Sequence, residues 1–82
     1  MQSRIDTLKT IMRAADQHPT TTQAQIADVF ADLKAADAKA LADSFLGVKV
    51  ARSKKHAIET VEHKVFQVQQ STLRSREILS FS

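Results

Sequence analysis

The sequence predicts an all-α fold, a small single-domain bundle of four main helices over residues 1–82. Three observations carry this. Apolar residues recur at steps of three and four in separate stretches, the spacing of one helix face. The chain holds one Gly and one Pro, and the Asn-Gly, Asp-Gly and Gly-Gly pairs that turn β-hairpins do not occur. A hydrophobic fraction of 43% beside 26% charged residues is a globular composition at the length of one domain. A chain this short buries only about 60–65% of the surface its unfolded form exposes, which excludes a deep catalytic cleft between two lobes.

Each helix has its own grounds. Ser3 is placed to cap a first helix running to about Gln17, with Ile5, Leu8, Ile11, Met12 and Ala15 on one face and Arg4, Asp6, Lys9, Arg13 and Asp16 on the other. His18-Pro19 closes this N-terminal unit, residues 1–18, because the residue before proline is driven out of the helical region. Thr21 or Thr22 then serves as N-cap for a second helix, from about Gln23 to Lys34, with Ile26, Val29, Phe30 and Leu33 inward. Asp37 has the chemistry of an N-cap, so a third helix is expected from Ala38 to Leu46, and Gly47 suits its left-handed C-terminal residue. Val48-Lys49-Val50-Ala51-Arg52 alternates apolar and polar positions as an extended loop. Ser53 is a strong N-cap candidate for a fourth helix starting at Lys54 and carrying Ile58, Val61, Val65 and Val68 to at least Gln70. Residues 71–82 form a tail whose Leu73, Ile78, Leu79 and Phe81 need something to pack against, and a short fifth helix is expected there.

Charge is unevenly spread. Residues 1–30 balance three cations with three Asp, and residues 31–48 are slightly acidic. Residues 49–64 hold Lys49, Arg52, Lys54, Lys55 and Lys64 against Glu59 and Glu62. A local basic cluster attracts polyanions more than the net charge of +3 would if spread evenly. Ser53, Lys54 and Lys55 stand at an expected helix start, where unpaired N–H groups and the helix dipole favour an anion. Lysines there are electrostatically unfavourable unless an anion is present.

Residues 33–65 resemble the SAP family and related helix–extended-loop–helix DNA-binding modules. The resemblance lies in Leu33-Lys34, in Asp37-Ala38-Lys39-Ala40-Leu41-Ala42, in Phe45-Leu46-Gly47-Val48, and in Ser53-Lys54-Lys55-His56-Ala57-Ile58-Glu59-Thr60-Val61. It covers about two fifths of the chain. Arg52-Ser53 stands where the family usually has Gly before Lys, and the last helix continues past Lys64, beyond the family's short one. The resemblance implies double-stranded DNA as partner. With the charge pattern it singles out Arg52, Ser53, Lys54 and Lys55 as the nucleic-acid-binding core, flanked by Lys49 and Lys64. Sequence specificity should be weak, since backbone contacts position a protein without reading bases.

Other readings are weaker. Thr22 to Phe30 resembles the first helix of a helix-turn-helix unit, but Ala31-Asp32-Leu33-Lys34 offers no turn signal and the next helix, with Asp37 and Asp43, is a poor groove reader. His56 and His63 are seven apart with Glu59 and Glu62 between them, and lack the helical zinc-hydrolase spacing. Cysteine is absent; no Gly-rich phosphate loop and no local signature of a catalytic Ser occurs. No enzymatic activity, catalytic residue, metal, cofactor or small-molecule substrate is therefore expected. No apolar run reaches the ~20 residues that span a bilayer, and the N-terminal residues do not read as a signal peptide, so a cytoplasmic protein is expected. The rival function is a protein–protein interaction module, as adaptor, inhibitor or homo-oligomeric accessory protein, since 82 residues do not readily bury every apolar position alone. Self-association through the fourth helix and tail belongs to that reading.

Overall fold

A computed structural model of the chain describes residues 2–80, with side chains over residues 2–75. Four helices follow one another: α1 (Gln2–Arg13), α2 (Pro19–Phe30), α3 (Ala35–Leu46) and α4 (Lys54–Ser80). No strand occurs among the described residues. All four helices contribute to one core. Leu8 and Ile11 of α1, Ile26, Val29 and Phe30 of α2, Ala38, Leu41 and Ala42 of α3, and Ala57, Val61 and Val65 of α4 are buried together. Most of these are the apolar positions that the helical spacing marks. The small side chains of Ala38, Ala42 and Ala57 let α3 and α4 pack closely, and this is the most extensive helix pair.

The helix ends differ from expectation in ways with physical causes. α1 stops at Arg13, not at Gln17, and the chain turns through Ala14 N–H to Ile11 O and Gln17 N–H to Ala14 O. The buried Gln69 of α4 donates its Nε2 to Ile11 O at 3.1 Å and Ala14 O at 3.3 Å, a second donor from across the molecule to carbonyls that already accept these turn N–H groups. α2 begins at Pro19 rather than Gln23. His18 sits in the extended region, as a pre-proline residue should, and its Nδ1 accepts the Thr20 N–H at 3.2 Å. His18 is therefore the N-cap and Pro19 the first helical residue; Thr22 lies inside the helix and is buried.

α2 also ends earlier, at Phe30, and the chain does turn at Ala31-Asp32. Asp37 is not a cap but lies in the first turn of α3, where a carboxylate favours the dipole. Gly47 closes α3 at φ 78°, as expected, with its N–H on Asp43 O at 2.8 Å. α4 starts at Lys54 and continues without a break to Ser80, so the segment expected as a separate fifth helix is the end of α4. Its 27 residues make a rod of about 40 Å, which accounts for most of the 47 Å long axis. The last buried side chain among the described residues is Gln69. Leu73 beyond it is 38% exposed; the side chains of Ile78, Leu79 and Phe81 lie outside the described residues.

Candidate nucleic-acid interface

The candidate site is the connection between α3 and α4, residues 47–53. Its shape follows from local hydrogen bonds. Asp43, in the last turn of α3, accepts the Val50 and Ala51 N–H groups on Oδ1, each at 3.1 Å. The Arg52 N–H goes to His56 Nδ1 at 3.1 Å. Ser53 Oγ in turn accepts the His56 N–H at 3.1 Å. Residues 52, 53 and 56 thus form a variant of the capping box, with a histidine at the third helical position and its acceptor reaching one residue further back. Ala51 packs against the core. Three successive N–H groups of an extended loop are tied to the protein itself, and the loop is fixed in place.

The six expected DNA-contacting residues do not converge on one spot. Lys54 points inward: its Nζ donates to Leu33 O at 2.6 Å and Ala31 O at 3.3 Å. It satisfies carbonyls at the α2–α3 turn, which has no glycine to close it. The expectation of Lys54 as a phosphate ligand therefore meets a lysine already committed within the fold. Ser53 likewise spends its hydroxyl on the cap. Lys55 is exposed and lines, with Lys54, Ile58, Glu59 and Glu62, a depression away from Lys49 and Arg52. Lys49 and Arg52 are exposed and border a shallow depression formed with Asp43, Val50, Ala51, His56 and Thr60. Lys64 is exposed one turn beyond Thr60, on the same flank. The side chains of Lys49, Arg52, Lys55 and Lys64 make no hydrogen bond or ion pair among the described residues.

Nearby acids set the local balance. The depression contains Asp43, whose carboxylate is engaged by two loop N–H groups. On the Lys55 flank, burial pushes the Glu62 carboxyl above its ordinary pKa, and the charge of Glu59 adds to the effect. An anion would therefore meet less opposition on the Lys49–Arg52–Lys64 side.

Two contributors have no signature in the sequence. Arg4 of α1 donates to Val29 O at 2.7 Å and makes a two-pronged bond to Asp32 at 3.0 and 2.8 Å. With Lys54 it closes the C-terminal end of α2 from two sides, yet these partners lie more than twenty residues away in the chain. His56, which the sequence offers only within the resemblance and as half of a loose histidine pair, fixes the loop together with Asp43. Among the described residues no three His, Cys, Asp or Glu side chains cluster as a metal site, and no helix is long and apolar enough to cross a membrane. No protein-family model matches the chain, and neither a curated protein nor a solved structure matches it.

Proposed function

We propose that the protein binds double-stranded DNA through the sugar–phosphate backbone, using the α3–α4 loop and the adjoining flank of α4. The observation that carries this is the set of exposed, unpartnered cations, Lys49, Arg52 and Lys64, on one side of a loop held rigid by Asp43 and His56. The backbone that bears Lys49 and Arg52 is already ordered, so binding does not have to order the loop. Lys55 is a peripheral fourth contact, and Lys54 supports the fold instead of the ligand. Weak sequence preference follows from contacts that neutralise phosphates.

Gel-shift titration of random duplex DNA across a salt series tests this. Binding should weaken steeply with salt, and Lys49→Ala, Arg52→Ala and Lys64→Ala should each make the slope of log affinity against log salt shallower by roughly one unit. Absence of salt-dependent binding at low ionic strength would overturn the reading. The interaction-module alternative, favoured by the exposed Leu73 on the far part of α4, would then stand, and solution mass measured alongside would show whether the partner is a second copy.

A further inference from the structure

The loop that carries Lys49 and Arg52 also carries Val48 and Val50, which are 56% and 41% exposed. Isolated exposed valines need no explanation. These two flank a lysine on a segment whose position is fixed by three backbone hydrogen bonds, so they are held out by the fold, not left out by disorder.

An extended apolar loop could serve as an edge for an incoming peptide strand. The backbone speaks against that. Strand addition uses the loop's own N–H and C=O groups, and the donors of Val50, Ala51 and Arg52 are all bonded internally. What remains available is the side chains: two apolar ones interleaved with two cations. Charge selects the occupant, because Lys49 and Arg52 favour a polyanion and make an uncharged apolar partner costly. Among polyanions, a DNA duplex presents two rows of phosphates with a groove between them, whose base edges are polar but whose thymine methyl groups offer apolar contact to a small side chain.

We propose that Val48 and Val50 enter a groove of duplex DNA while Lys49 and Arg52 hold the phosphates beside it. This rests on the reading of the protein as a DNA binder and adds to it a second, salt-independent component of affinity. Apolar contact releases no counterions, whereas each phosphate contact does. The two components therefore separate in one experiment.

The test is the same salt titration with Val48→Ser/Val50→Ser, with folding checked by a thermal melt. The double variant should bind roughly tenfold more weakly at every salt concentration, with an unchanged slope. Lys49→Ala should change the slope. Leu73→Ser, which removes an exposed apolar side chain elsewhere on α4, should leave affinity as it was. Wild-type binding that is unaffected by the valine substitutions, or equally weakened by Leu73→Ser, overturns this inference and leaves the backbone-binding reading intact. A wild type that does not bind at low salt overturns both.

Discussion

Lys54 and Lys55 are neighbours in the chain and opposites in role. The Lys54 ammonium lies against two carbonyls of the α2–α3 turn, while Lys55 is exposed without a partner among the described residues. Lys54→Ala should cost about 1 kcal/mol, since the bond to Ala31 O is exposed and the bond to Leu33 O part-buried, and water replaces the lost donor in part. Lys55→Ala should change stability by no more than about 0.5 kcal/mol. Urea unfolding of the two variants checks the difference, and equal losses would show that the Lys54 bonds add nothing. Gly47 offers a second contrast. A Cβ built there meets nothing within 4 Å, but φ is 78°. The requirement is therefore one of backbone conformation, not space. Gly47→Ala should cost about 1–2 kcal/mol, and Gly47→Asn less, since asparagine tolerates the left-handed region better. A thermal melt in which Gly47→Ala matches the wild type would rule this out.

Helices were legible in the sequence where their determinants are local. The apolar stripes of α2, α3 and α4 are read from spacing alone, and the start of α4 is read from Ser53 because its hydroxyl bonds three residues ahead. Gly47 is legible for the same reason. The ends of α1 and α2 were not, because distant side chains settle them: Gln69 closes α1, and Arg4 with Lys54 closes α2. The basic cluster was visible as composition, but the helical rotation that turns Lys54 inward and parts Lys55 from Lys49, Arg52 and Lys64 only appears once the start of α4 and its buried face are known. The pre-proline rule marks His18 as the end of one helix, whereas it caps the start of the next. Gln69 gives the element scale its test. Gln69→Leu keeps the bulk but removes the buried Nε2 bonds to Ile11 O and Ala14 O, which keep their turn N–H partners, so the loss should be about 0.5–1.5 kcal/mol. Amide exchange should rise first in residues 11–15 and leave α3 protected. Uniform change across all four helices would show that Gln69 acts through general packing alone.

At the scale of the whole molecule, a long α4 lies along a bundle whose buried positions end at Gln69 among the described residues. The radius of gyration is 13.5 Å, against about 12 Å for a compact chain of this length. Ion pairing within the described residues centres on one long-range bridge, Arg4–Asp32, and its behaviour with pH is opposed by that of Glu62. The Arg4 hydrogen bond holds the Asp32 carboxyl below its ordinary pKa. A depressed folded-state pKa means that the stabilisation is present above the unfolded value and drains away as pH falls through the folded one. For Glu62 burial, with Glu59, raises the pKa. The folded state there is favoured while the carboxyl is protonated, and that advantage is lost as pH rises through the raised value. Thermal melts from about pH 3 to pH 7 separate the two. Asp32→Asn should melt lower than wild type at neutral pH, with the gap closing in acid once Asp32 of the wild type is itself protonated. Glu62→Gln should melt higher than wild type at neutral pH, and its gap should also close in acid. Both sites are largely open to solvent, so added salt should shrink both gaps. A deficit for Asp32→Asn that persists unchanged into acid would show that the charge of the Asp32 carboxylate does not supply the stability.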